Sequence, residues 1–215
     1  LTYFDLVKFF GGVPLRTAGV TNYGADLDIA RSSADDIYAQ VISDLTDAYA
    51  KLPVSNGEFA ARYAAQALLA RVYLQQGNFA SALAAANDVL QNSGHSLAST
   101  FSGAFNNDSD SSEDIFAFQV TSQDGSNVLI SHYADQPQGG RGGDIVIDTY
   151  LTLFDSTSDV RRGFTYTSGF NGGLLTGKYT NEYGNVPTIR VAEMHLIRAE
   201  ACLLYTSDAA DDLLC

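Results

Sequence analysis

The residues best equipped for chemistry lie in one long polar segment, residues 121–143, with the sequence TSQDGSNVLISHYADQPQGGRGG. Within it Asn127, His132, Tyr133, Asp135, Gln136 and Arg141 set one aromatic face among several hydrogen-bonding groups. That mixture suits capture of a sugar, whose ring has an apolar face for stacking and a rim of hydroxyls for hydrogen bonds. An ordinary exposed loop has the same composition, and both readings stand at this point. Trp, the residue best suited to stacking on a sugar, is absent, so Tyr and Phe must serve, or the stacking platform lies outside this sequence. Phe170 and Tyr183, in Gly-rich surroundings, are weaker candidates of the same kind. Gly139-Gly140-Arg141-Gly142-Gly143 could cradle an anion through backbone N–H groups, but it lacks the strand and helix that orient such loops. It reads as a flexible loop.

Catalytic chemistry finds little support. There is no G-x-S-x-G elbow, no H-E-x-x-H and no P-loop. His95, His132 and His195 are far apart in sequence, and His195, between Glu193 and Arg198, reads as a polar helix position rather than a metal ligand. A glycosidase needs two carboxylates at a defined separation, which an acidic sequence cannot specify. We therefore expect no catalytic residue, no metal site and no cofactor. Cys202 and Cys215 establish neither a disulfide framework nor a metal site. With 12 Lys and Arg against 25 Asp and Glu, the net charge is −13. Such a chain is repelled by phosphate backbones, which argues against nucleic acid, whereas neutral glycans are not repelled.

The positioning elements follow from periodicity. At 215 residues, 46% apolar and 17% charged, the chain is globular in composition and long enough for one sizeable core or two small ones. No apolar run reaches the roughly 18 residues of a membrane-spanning helix. Ala60–Leu90 reads as two helices hinged at Gly77, with Leu69, Ala70, Tyr73, Gly77, Phe79 and Ala82 on the signature positions of a tetratricopeptide repeat. Small Ala70 and Ala82 let the helices touch, and Tyr73 and Phe79 fill the wedge beside them. Such a pair cannot bury its apolar face alone, so further helices must stack on it.

Leu1–Phe10 reads as the buried end of a helix stopped by Gly11-Gly12-Val13-Pro14, and residues 15–31 as a polar loop. Ser32-Ser33 offers an N-cap to a helix over 33–51, with Asp35 and Asp36 in its first turn and Ile37, Val41, Leu45 and Ala48 on its apolar stripe. Residues 92–112 read as loop anchored by Leu97, Phe101 and Phe105, and Ile115–Val120 as a strand. Ile145–Phe154 is expected to be a short helix, Phe164–Tyr179 a hairpin around Gly169–Gly173, and Thr188–Leu204 a helix with Val191, Met194, Ile197 and Ala201 inward. Tyr205–Cys215 changes character and is similar to a translated sequencing-adapter read-through; it is set aside as a non-native tail.

In this order the segments resemble one family, the SusD/RagB-type outer-membrane nutrient-binding proteins of Bacteroidetes. The resemblance rests on Tyr3–Lys8 with Phe10-Gly11-Gly12-Val13-Pro14-Leu15; on Arg31, Ile37-Tyr38, Ile42, Asp44-Leu45, Ala48 and Leu52-Pro53; and on Ala64–Tyr73 with Gly77-Asn78-Phe79 and Ala82. It continues through Glu113-Asp114-Ile115-Phe116, Phe154, Asp159, Arg161-Arg162 and Lys178-Tyr179 to Ile189–Ala201. The blocks at 11–15 and 189–201 are the most specific.

The resemblance implies a mainly α fold of tetratricopeptide-like helical pairs with long loop and short β insertions, over 1–201 as one domain truncated at both ends. It also implies a surface lipoprotein of the outer membrane, held by a lipid anchor that would precede Leu1. Its function would be non-catalytic binding of a nutrient, an oligosaccharide above all, and delivery to a SusC-like TonB-dependent transporter. The loop 121–143 could then pack on that transporter instead of touching sugar. The alternative from another class is a tetratricopeptide scaffold for protein–protein binding, which would need at least three regular repeats; only one pair fits the template.

Overall fold

A computed structural model describes residues 1–208 apart from 23, 25–27, 124 and 143–145; the side chains of 206–208 are not described. The chain divides into two compact units, one of residues 1–93 with 194–215, the other of residues 94–193.

The first unit is helical. Helix α1 (Thr2–Phe10) packs on α2 (Ala34–Lys51), α2 on α3 (Arg62–Gln75), and α3 on α4 (Phe79–Asn92). Helix α3 is flanked by two neighbours, so its apolar residues cannot form one stripe. Ala64, Ala65, Ala67, Leu68, Leu69, Ala70 and Val72 are all buried, and four alanines in that set keep the backbones close. Ala82, Ala85, Ala86 and Val89 of α4 face them. The hinge is built as expected: Gly77 sits at φ +77°, a conformation that a side chain would oppose, and Asn78 caps α4 by accepting from the Ser81 N–H. Tyr73 and Phe79 are half-buried.

A polar network ties three helices together. Asp88 of α4 accepts from the Tyr49 hydroxyl of α2 at 2.7 Å and from the Gln66 side chain of α3 at 2.9 Å. The hydrogen bond to Asp88 comes first among the causes that push the Tyr49 phenol above its ordinary pKa.

Helix α2 begins at Ser33, whose hydroxyl accepts from the Asp36 N–H while the Asp36 carboxylate accepts from the Ser33 N–H, a reciprocal capping box. The two glycines after α1 do different work. Gly11, at φ +67°, caps the helix, and a Cβ on Gly12 would lie 2.1 Å from the Ser32 carbonyl oxygen, so only glycine lets the two chain segments meet. α1 itself departs from expectation: Phe4 and Val7 are buried, but Phe9 and Phe10 are 78% and 64% exposed.

The second unit is irregular. Strand β1 (Asp114–Phe118) pairs antiparallel with β4 (Val186–Arg190), with register shifts near Phe116, and β2 (Thr165–Thr167) pairs with β3 (Leu174–Thr176) as the expected hairpin. Helix α5 (Val128–Tyr133) stands inside the segment expected to be a loop, because the Asn127 side chain caps it. Leu97 is 51% exposed, whereas Phe101 and Phe105 pack with Phe164. In place of a helix over Ile145–Phe154 there is a 3-10 turn, Tyr150–Leu153; Ile145 lies outside the described residues.

Thr188–Arg190 is strand, not helix. Pro187 holds Val186 extended, Thr188 and Ile189 are β-branched, and β1 offers them hydrogen-bonding partners. Helix α6 therefore starts at Val191 and runs to Asp208, with Val191, Met194, Ile197 and Ala201 buried as the periodicity predicts. It continues through Tyr205, past the point where the sequence changes character; residues 209–215 lie outside the description.

Candidate functional site

The second unit contains a cluster of three aromatic rings. Phe101 and Phe164 meet edge to face at 5.5 Å, and Phe105 lies 5.3 Å from Phe101 and 5.5 Å from Phe164. Two cavities border this cluster. The first is a groove of about 600 Å³ lined by Ser99, Thr100, Phe101, Ser102, Val160, Gly163 and Phe164. It combines aromatic surface with three hydroxyl side chains. The second is a polar cavity of about 150 Å³ walled by Phe105, four asparagines, Lys178, Tyr179 and Arg190.

The two cations of the polar cavity sit over one ring. The Arg190 guanidinium carbon lies 4.7 Å and the Lys178 ammonium 5.1 Å from the centre of Phe105, within range of a cation–π attraction. Arg190 also pairs at 3.2 Å with Glu113, which is 5% exposed. Burial, and then the neighbouring Arg190 charge, push the Lys178 ammonium below its ordinary pKa. Burial raises the Tyr179 phenol, helped by Tyr133 and opposed by Arg190.

The residues singled out in 121–143 separate into different roles. Asn127 is buried: its carbonyl accepts from the Leu129 N–H, and its amide donates to the Gly184 carbonyl, so it staples α5 in place while lining the polar cavity. Tyr133 is half-buried on α5, its ring 5.0 Å from that of Tyr179. His132 is half-buried on the same helix. Asp135 is also buried; its carboxylate accepts from the Gln136 and Gly169 N–H groups at 2.9 and 2.6 Å and from the Ser168 hydroxyl at 3.1 Å. Burial pushes the Asp135 carboxyl up, but these bonds outweigh it and hold the pKa below its ordinary value. Gln136 and Arg141 are exposed and line neither cavity.

The glycine run after Gln138 is packed rather than loose. Gly139 is a left-handed cap, and a Cβ on Gly140 would strike the Ala134 carbonyl at 2.0 Å. A Cβ on Gly142 would lie 2.8 Å from the Phe170 ring. Gly143 lies outside the described residues. Phe170 is 69% and Tyr183 39% exposed.

Lys178, Arg190, Phe101, Phe105 and Phe164, which line the two cavities, lie outside the loop that residue types single out. A signal for them existed in the Lys178-Tyr179 pair and in Arg190, which stood out as motif blocks, and in the spacing of Phe101 and Phe105.

A family model, SusD-like_3, described as "Starch-binding associating with outer membrane", matches residues 1–74. No curated protein matches the chain. Among solved structures, a SusD superfamily protein from Bacteroides thetaiotaomicron VPI-5482 is 26% identical, with a TM-score of 0.72 over 92% of this chain and 48% of that one. A SusD-like carbohydrate binding protein from Bacteroides fragilis NCTC 9343 is 19% identical, with a TM-score of 0.75 over 95% of this chain and 53% of that one. Another from Bacteroides vulgatus ATCC 8482 is 21% identical, with a TM-score of 0.72 over 96% and 50%. The last two carry the fold alone, and the chain spans about half the length of all three structures. The family match over residues 1–74, the shared fold and the motif order from Tyr3 to Ala201 together support a SusD-type protein.

Proposed function

We propose that this chain takes part in non-catalytic capture of an oligosaccharide at the cell surface. The captured sugar is passed to a SusC-like TonB-dependent transporter, and the protein is held at the outer membrane as a lipoprotein. The observation that carries this reading is the match of residues 1–74 to a family described as starch-binding and associated with the outer membrane. The groove at Phe101 and Phe164 is consistent with it. Its volume falls within the ordinary range of small-ligand sites, its rings offer flat apolar faces, and Ser99, Thr100 and Ser102 offer hydroxyls. Binding is then the whole mechanism: stacking against Phe, hydrogen bonds to sugar hydroxyls, and release without bond cleavage.

Calorimetric titration with a panel of oligosaccharides tests this. At least one should bind, remain uncleaved by chromatography, and lose about five- to tenfold in affinity to Phe101→Ala, a variant checked for folding by circular dichroism. Cleavage of the bound sugar, or no binding across the panel, would overturn the reading. Pull-down with a SusC-like barrel tests the transporter step separately.

A further inference from the structure

The polar cavity resembles a neutral sugar site less closely than its composition suggests. Its four asparagines are already engaged. The Asn106 carbonyl accepts from the Thr180 N–H and its amide donates to the Gly177 carbonyl. Asn127 caps α5 and bonds Gly184. The Asn181 side-chain amide donates to the Asn106 backbone carbonyl and to Asp108, and its side-chain carbonyl accepts from the Tyr183 N–H. Asn185 bridges Asp110, Gln119 and the Val120 N–H.

What the walls still offer is mainly donors, with the Tyr179 hydroxyl able to accept as well. Among the described residues the Lys178 ammonium has no ion-pair or hydrogen-bond partner, the Tyr179 hydroxyl makes no hydrogen bond, and Arg190 meets a carboxylate only at Glu113. Among those residues the Lys178 ammonium thus has no carboxylate of its own, whereas Arg190 has Glu113 and also feels the charge of buried Asp114. The faces of Phe101 and Phe105, 6.0 and 5.1 Å from the Lys178 ammonium, compensate it on one side only. Desolvation and a like-charged neighbour disfavour a bare ammonium, and an incoming anion reverses both effects. A neutral sugar hydroxyl, which donates as well as accepts, gains less from walls made mainly of donors. At about 150 Å³ the cavity admits one small charged group while the rest of a chain lies outside it.

We propose that this cavity takes the carboxylate of an acidic sugar, so that the captured ligand is a uronate-containing oligosaccharide. The inference rests on the sugar-binding reading above and narrows it. Lys178 and Arg190 would supply charge-assisted hydrogen bonds to the carboxylate, with the Tyr179 hydroxyl as a third donor.

The test uses pairs that differ only in charge: oligogalacturonate and oligoglucuronate, each beside its fully methyl-esterified form, titrated into the 215-residue chain by calorimetry. Maltoheptaose serves as a neutral reference. The acid of at least one pair should bind about tenfold tighter than its ester, and the preference should shrink as salt is added. Lys178→Gln should remove the preference, and Lys178→Arg should keep it. Should Lys178→Gln fail to fold, Tyr179→Phe, which keeps the ring and removes one donor, should narrow the gap. Equal binding of acid and ester, or a preference that survives in Lys178→Gln, overturns the proposal. Binding of maltoheptaose without acid preference overturns it while leaving the sugar-binding reading intact. No binding of any oligosaccharide overturns both.

Discussion

Replacing Glu113 with Gln removes one charge and nearly nothing else. Glu113 is 5% exposed, pairs with Arg190 at 3.2 Å, and accepts from the Ala98 N–H at 3.2 Å. Gln keeps the shape and can still accept from Ala98, so the loss is confined to the ion pair and the charge it leaves behind on Arg190. Breaking a fully buried pair costs about 3–5 kcal/mol, and an exposed one at most about 1. The Arg190 side chain retains a quarter of its exposure, which lets water solvate part of the orphaned cation. The expected cost therefore lies between these limits, about 2–3 kcal/mol. Urea denaturation followed by far-UV circular dichroism suits a chain without Trp. A double-mutant cycle with Arg190→Met isolates the coupling, because either single variant strands a charge and the double strands none; the double should cost less than the sum by at least about 1 kcal/mol. If Glu113→Gln stays within about 0.5 kcal/mol of the parent, or the two single effects add, the pair does not hold this corner together.

Gly12, in the stop after α1, and Gly77, at the hinge between α3 and α4, should behave differently. Gly12→Ala forces a Cβ against the Ser32 carbonyl and should cost about 3 kcal/mol or more, whereas Gly77→Ala, at φ +77° with nothing within 4 Å, should cost about 1, both read from urea midpoints. Ser33→Ala removes half of the α2 capping box and should cost about 1 kcal/mol by the same measurement. Asp135 sets a pH dependence. Its folded pKa lies below the ordinary value, so its stabilising contribution is present above the ordinary carboxylate range and is lost as pH falls through the depressed pKa. Thermal melts from pH 6 downward should fall less steeply in Asp135→Asn than in the parent, and equal slopes would refute the role.

The helical unit was legible because its determinants are local. Ser33 with Asp36, the Gly77 hinge and the inward run of Met194, Ile197 and Ala201 each express a short-range rule, and the structure follows them. Thr188–Arg190 went wrong at a boundary, where helical spacing ran back into residues that a distant partner, β1, holds extended. The exposure of Phe9, Phe10 and Leu97 was equally hidden, since an apolar residue does not announce whether a neighbour covers it. Within the candidate site, Lys178, Arg190 and Phe105 are separated by 73 to 85 positions from one end of the cluster to the other, and only the tertiary fold places two cations over one ring.

The polar loops are bonded internally for a physical reason that also directs attention to the cavity. A unit with two short two-stranded sheets leaves many backbone N–H and C=O groups without partners in regular structure. Asn supplies both a donor and an acceptor on a short side chain, which suits it to close such gaps, and Asn106, Asn127, Asn181 and Asn185 each do so. Asp135 plays the same part with acceptors alone. Residues that look like ligand contacts in composition are thereby occupied in the folded protein. Recognition then falls to groups for which the fold has no internal use. Among the described residues the Lys178 ammonium and the Tyr179 hydroxyl make no internal hydrogen bond, and on the proposal above these donors favour an anion over a neutral hydroxyl.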